Sequence, residues 1–221
     1  MTRTPRRVYV VCEGQTEEAI AKQTIGLHLQ ARGVLLVPWV VKTKRPAGGS
    51  AHRGGGRWKH YLREIEPALG DHSAAAVTTM IDLYGYPEDG PGLPVPAGVR
   101  DVALARHLEE AMQHTVGDLR FLPHLQVHEA EALLLADPAA LAARSGDPGV
   151  AAVLLTAVTS CGGPELVNQG VATHPAARIK AAWPGFAKTS DGPSLVAAIG
   201  LPTIRAACPH FDAWLSVLEA L

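Results

Sequence analysis

Acidic residues fall where a folded sheet would gather them. Glu13 directly follows the apolar run from Val8 to Cys12, Asp82 follows the run from Ala74 to Ile81, and Glu129 and Glu131 follow the stretch from Phe121 to Val127. Each run reads as a strand, and its acid stands at the carboxyl end. In an open α/β sheet such ends converge on one crevice. Carboxylates held within a few ångströms repel one another unless a cation sits among them or some are protonated. An all-oxygen set of this kind suits Mg2+ or Mn2+.

Glu17 lies four residues after Glu13, so both can share one side of a helix opening. Glu17 also suits the positive N-terminus of that helix in its own right, with Thr16 as cap. Gly14 permits a tight turn from strand to helix. Asp82 reads either as a ligand or as a cap or loop acid. In His128-Glu129-Ala130-Glu131, an extended chain sends His128 and Glu129 to opposite sides, whereas a helix sets Glu131 near His128 and Leu135. Which acid points inward stays open. The segment lacks the second histidine of the HExxH motif, which removes a zinc-peptidase reading. Among ten scattered histidines, His128 is the one adjacent to the acids. Cys12, Cys161 and Cys208 have no arranged base, so nucleophilic catalysis finds no support.

These residues need a scaffold, and the pattern supplies one. Strands are expected at Val8 to Cys12, Val34 to Val41, Ala74 to Ile81 and Phe121 to Val127. Between them come helices from Glu17 to Gln30 (Ile20, Ile25 and Leu27 apolar), Trp58 to Glu66 (closed by Pro67) and Asp101 to His114. Another helix begins within His128 to Leu135. Thereafter the chain reads as helices at Ala139 to Arg144, Val150 to Ser160, Ala176 to Trp183, Pro193 to Gly200 and Phe211 to Leu221. The expected fold class is α/β, a roughly four-stranded, mostly parallel sheet flanked by helices. Residues 1–137 form its core and residues 138–221 a helical C-terminal region packed on it.

Bulk properties narrow the function classes. The 221 residues carry a formal net charge of −1, with 47% hydrophobic and 19% charged positions. That length suits one well-buried core, and the charge gives no global pull toward nucleic acid or membrane. Three widely spaced cysteines argue against a disulfide scaffold and a structural zinc site. No apolar run reaches the roughly 18 residues of a membrane span. The apolar run after Arg3, Arg6 and Arg7 stops at Cys12, too short for a secretion signal, so a cytoplasmic protein is expected. Local basic character remains: Lys42, Lys44, Arg45, His52 and Arg53 lead into Gly54-Gly55-Gly56-Arg57, followed by Trp58 and Lys59. Arg57 and Lys59 are candidate phosphate contacts, although this glycine loop lacks the lysine and serine of a Walker A motif.

Several blocks, in order, resemble domain-of-unknown-function family 4276, a Toprim-like group. They are Val11-Cys12-Glu13-Gly14-Gln15-Thr16-Glu17-Glu18, Thr78-Thr79-Met80-Ile81-Asp82-Leu83-Tyr84-Gly85 and His128-Glu129-Ala130-Glu131-Ala132-Leu133-Leu134. Trp183-Pro184-Gly185-Phe186 and the stretch from Cys208 to Leu215 extend the resemblance over nearly the whole chain. It implies a Toprim fold, found in topoisomerases, primases and the overcoming-lysogenization-defect nucleases. In those nucleases a Glu-x-x-x-Glu pair, matched by Glu13 and Glu17, joins an Asp-x-Asp, matched by Asp82, and a later acid, matched by Glu129 or Glu131. Tyr84 replaces the second aspartate, with Glu88 or Asp89 as stand-ins, so one metal or two stays open. Pro175-Ala176-Ala177-Arg178 replaces a Pro-Ser-Lys-Arg stretch, leaving Arg178 and Lys180 as phosphate contacts.

The resemblance implies a phosphodiesterase or nuclease dependent on Mg2+ or Mn2+, acting on nucleic acid in anti-phage defence or DNA repair. Glu13, Asp82 and Glu131 would hold metal as the catalytic set, with Glu17 and Glu129 as secondary ligands or water-orienting groups. Because the family often stands beside an ATPase gene, a non-catalytic module docking on an ATPase is the alternative. Nucleotidyl transfer, as in primases, is the third reading.

Overall fold

The structure is a computed structural model, and it describes residues 5–41, 56–168, 170 and 172–221. Five strands form a parallel sheet: β1 (Arg6–Cys12), β2 (Val34–Val40), β3 (Ala74–Asp82), β4 (Phe121–Leu122) and β5 (Leu125–Gln126). The order is β2-β1-β3-β4, with β5 also pairing with β3, and each of these pairings is parallel. Continuous apolar strands fit this arrangement, because helices cover both faces of a parallel sheet. Alternation along β1 divides the core: Val8, Val10 and Cys12 join one apolar cluster, while Tyr9 and Val11 join the other.

The smaller cluster is closed by α3 (Trp58–Gly70) and α4 (Asp101–Val116) through Tyr61, Ile65, Leu108 and Met112. On the opposite face, α1 (Gln15–Ile20) continues through a π-helical turn (Ala21–Ile25) into α2 (Gly26–Gln30). The same face receives α5 (Pro138–Ser145), α6 (Gly149–Cys161), α7 (Pro175–Ala182), α8 (Lys188–Ile199), α9 (Leu201–Ala207) and α10 (Pro209–Glu219). The larger cluster therefore unites strand residues with Leu133, Leu195, Ile204, Phe211 and Leu215. Among the described residues, no helix is long and apolar enough to cross a membrane.

Several local expectations change. Pro67 lies inside α3 instead of ending it. It forfeits one backbone hydrogen bond, but burial of Ala68 and Leu69 holds the last turn against the sheet. Pro193 lies within α8, which begins five residues earlier because Asp191 accepts a hydrogen bond from the Ala187 backbone N–H at 2.9 Å. Thr16 does not cap α1; the cap position is Gly14. Leu27 is 63% exposed, because the π turn rotates the apolar stripe and leaves Leu29 as the buried residue. The fourth strand is split into β4 and β5 around Pro123, which has no N–H for a ladder. The segment at residue 201 forms α9, a helix the sequence pattern did not suggest.

Replacing Phe211, fully buried between sheet and helices, by Ala should cost about 3–5 kcal/mol. Urea unfolding followed by circular dichroism should show one transition at a lower midpoint. Two separate transitions would mean that the C-terminal helices unfold independently of the sheet.

Candidate functional site

Parallel pairing sets the carboxyl ends of β1, β3 and β5 side by side. Cys12 is level with Met80, and Asp82 is level with Gln126. Glu13 is the residue just past β1, and its Oε2 accepts a hydrogen bond from the Asp82 backbone N–H at 3.1 Å. Gly85 makes room for it: a Cβ there would lie 2.5 Å from Glu13 Oε1. After β5 the chain turns sharply at His128, whose φ of 62° is in the left-handed region. That turn leads into an extended Glu129 and then a 3-10 helix (Ala130–Ala136).

The turn settles which acid faces inward: both do. Ligand oxygens of Asp82, Glu129 and Glu131 all lie within 4.8 Å of one another. Asp82 Oδ1 accepts from the Ala130 N–H at 2.8 Å, tying β3 to the start of this helix. Glu129 Oε2 meets His174 Nδ1 at 2.7 Å and accepts from the Ala176 N–H at the opening of α7. Glu131 is 1% exposed, and its Oε2 faces the ammonium of Lys188. Glu17 is buried in the first turn of α1, and its negative charge acts on Glu13, Asp82 and Glu131.

A residue passed over by the sequence reading holds the cluster together. Lys188, the first residue of α8, places Nζ 2.8 Å from Glu131 Oε2 and 3.4 Å from Asp82 Oδ2. The contact to Glu131 is a close ion pair. At an effective dielectric of about 20, two carboxylates 4.8 Å apart repel by roughly 3 kcal/mol, whereas an ion pair at 2.8 Å attracts by roughly 6 kcal/mol. One lysine therefore offsets much of the mutual repulsion but not the cost of burial. Burial, followed by the charge of Glu17, pushes Glu13 up to about 7. Burial likewise raises Glu131 to about 7 and lifts Asp82 well above the carboxylate range. For Lys188, burial works against the charge, and attraction to Asp82 and Glu131 more than reverses it.

Tyr61 of α3 was also missed as a neighbour of this set. Its fully buried hydroxyl has no hydrogen-bond partner among the described residues, and burial plus the charges of Glu13 and Asp82 hold it protonated.

Other expected site residues lie elsewhere. His128 turns away: Nδ1 meets Asn168 at 3.1 Å, and Nε2 lies 3.5 Å from Asp101. His174 is the histidine that reaches the acids, because its place before Pro175 at the start of α7 aims it at Glu129. Tyr84 packs its ring 5.4 Å from His174. Neither stand-in for a second aspartate is in the cluster: Glu88 is exposed, and Asp89 accepts from the Trp58 N–H at 2.7 Å, capping α3. Arg57, Lys59 and Lys180 are exposed, and Arg178 Nε donates to the Thr173 carbonyl at 2.9 Å. Lys42, Lys44, Arg45, His52 and Arg53 lie outside the described residues.

A family model, Domain of unknown function (DUF4276), matches residues 12–219. The chain belongs to that family. No curated protein and no solved structure matches it. The family match spans every acid of the cluster, as well as Lys188 and His174.

The raised acids set a pH dependence. Between 4.5, the ordinary value, and about 7, folded Glu13 and Glu131 hold protons that the unfolded chain has released. Their contribution to stability is complete below about pH 4.5 and is lost as pH rises through about 7. Thermal melts of the metal-free protein should show the melting temperature falling from about pH 5 to about pH 8, a loss on the order of a few kcal/mol. A flat or rising profile would mean that these acids are not buried together.

Proposed function

We propose that this chain is a metal-dependent phosphodiesterase acting on nucleic acid, with its reaction centre at the acids gathered beyond β1, β3 and β5. The observation that carries the reading is the convergence of Asp82, Glu129 and Glu131, whose ligand oxygens lie within 4.8 Å of one another, with Glu131 almost fully buried and Lys188 as its counter-charge. Buried carboxylates that face one another need positive charge among them, and one lysine set against several acids leaves a demand that a divalent cation would meet. Glu131, Asp82 and Glu129 would hold Mg2+ or Mn2+, with Glu13 at the rim. When bound, the ion would activate water and stabilise charge on the phosphate.

The remaining groups have defined work in this reading. Lys188 is displaced from its acids toward the phosphate, adding positive charge where the leaving oxygen develops negative charge. Glu13 is anchored through Oε2 by the Asp82 backbone N–H, which leaves Oε1 to face the ion or its water. His174 and the α7 backbone keep Glu129 oriented. The Toprim-like character implied by the Glu13/Glu17 pair and Asp82 supports a nuclease among phosphodiesterases. A cytoplasmic setting, in anti-phage defence or DNA repair, accords with three unpaired cysteines. Supercoiled and single-stranded DNA incubated with Mn2+ should be cleaved by the wild type. Glu13→Ala and Asp82→Asn should lower the rate at least about a hundredfold, as expected for lost metal ligands and charge stabilisation. Wild-type inactivity, or equal activity in both variants, would refute the reading.

One observation favours a second reading. Lys188 already supplies the cluster with a cation, as a non-catalytic module docking on an ATPase would require in place of metal. The two readings differ at one substitution. In the metal-dependent reading, Lys188→Ala should tighten Mn2+ binding in calorimetric titration and recover stability when Mn2+ is added. In the non-catalytic reading, the variant is destabilised by about 3–5 kcal/mol, the cost of an unpaired buried charge, and Mn2+ recovers nothing.

A further inference from the structure

A second constellation lies where α4 and α10 meet the β4–β5 edge. Glu109, His124 and His210 each offer a ligand atom, all within 4.8 Å of one another. We propose that these three side chains form a separate metal site, one that takes Zn2+ or a similar transition-metal ion.

His124 is held in place from every direction. Its backbone N–H donates to Thr79 Oγ1, which in turn donates to the His124 carbonyl, each at 2.8 Å. Its ring lies nearly parallel to Trp214, with centroids 4.3 Å apart. Yet the imidazole, 1% exposed, is poorly satisfied. Nδ1 stops 3.5 Å from Glu109 Oε1, and the Gln126 amide is the ring's other polar neighbour. Burial, and then the neighbouring His210, keep this ring neutral, which is the form that ligates metal. A buried imidazole nitrogen left this far from the carboxylate it faces is unusual in a core, and an ion between Nδ1 and Glu109 would account for the gap.

The spacing fits such an ion. Zinc binds histidine nitrogen at ~2.0–2.1 Å in tetrahedral geometry, so two ligand atoms sit ~3.3 Å apart and two imidazole centroids ~5 Å apart. His210 Nε2 and His124 Nδ1 lie 2.9 and 3.5 Å from Glu109 Oε1, and the two ring centroids are 5.1 Å apart. Two nitrogens and a carboxylate also favour Zn2+ over the Mg2+ that suits the all-oxygen cluster. The surrounding groups brace the ligands. Glu109 Oε1 accepts from the Leu125 N–H at 2.7 Å. Glu165 accepts from the His210 and Phe211 N–H groups at 3.0 Å, fixing the start of α10. The Gln126 amide lies beside the His124 ring, and its oxygen would accept a hydrogen bond from Nε2–H once Nδ1 ligates. A cavity of about 300 Å3, lined by all three ligands and by Arg106, leaves a fourth position open to water or a small ligand.

The test uses Co2+ as a spectroscopic substitute for Zn2+. Metal-stripped full-length protein, titrated with Co2+, should develop visible ligand-field bands that saturate at one equivalent and disappear when Zn2+ is added. Glu109→Gln and His210→Ala should each weaken binding at least tenfold, while Asp82→Asn with Glu131→Gln should leave the bands intact. If His210→Ala fails to fold, Glu109→Gln, which preserves shape, decides the matter. No bands in the wild type, bands unchanged in Glu109→Gln, or bands abolished by the Asp82 and Glu131 substitutions would each overturn the proposal.

Discussion

Like charges buried together demand a cation, and much of this molecule is arranged around that demand. Glu13, Asp82, Glu129 and Glu131 are delivered by chain segments far apart in sequence, with Glu17 acting on them from α1. Without compensation such a set would open the end of the sheet. Lys188 supplies one positive charge at the start of α8, and raised proton affinities on Glu13, Asp82 and Glu131 remove part of the negative charge. The C-terminal helices are therefore part of the site, since one of them carries its counter-ion.

The parallel sheet makes the convergence unavoidable. Strands running the same way place all their carboxyl ends on one edge, so any acid that follows a strand arrives there. Helices on both faces exclude water from that edge and lower its dielectric, strengthening attraction and repulsion alike. Strain is concentrated in the same place. His128 adopts a left-handed backbone that a β-carbon disfavours, and this is what turns both Glu129 and Glu131 toward Asp82.

At the β4–β5 edge, beside α4, a different chemistry is assembled by the same logic. Pro123 breaks the last strand, His124 drops into the gap, and the start of α10 brings His210 beside it. Nitrogen ligands gather there and oxygen ligands at the acidic cluster, so the two clusters would sort different ions.

Strand and helix order, the α/β class and the positions of Glu13, Asp82, Glu129 and Glu131 were legible in the sequence because they rest on local signals. Apolar runs of strand length are visible directly, and so is an acid placed immediately after one. Lys188, Tyr61 and His174 were not legible. Lys188 and His174 touch the acids and Tyr61 feels their charge, each from a helix or helix start distant in sequence, and no periodicity encodes which helix packs over which strand end. The His124–His210 pair was invisible for the same reason, with 85 intervening residues between its members. Pro67 and Pro193 misled because local propensity argues for a break, whereas tertiary burial of their neighbours holds the helix. The sequence by itself determined which groups stand at the ends of strands. Only the tertiary structure decided that Glu129 and Glu131 both turn inward, that His128 turns away while Tyr84 packs on His174, and that a lysine from the C-terminal helices offsets part of the charge. Those outcomes depend on packing between segments, which no single stretch of chain contains.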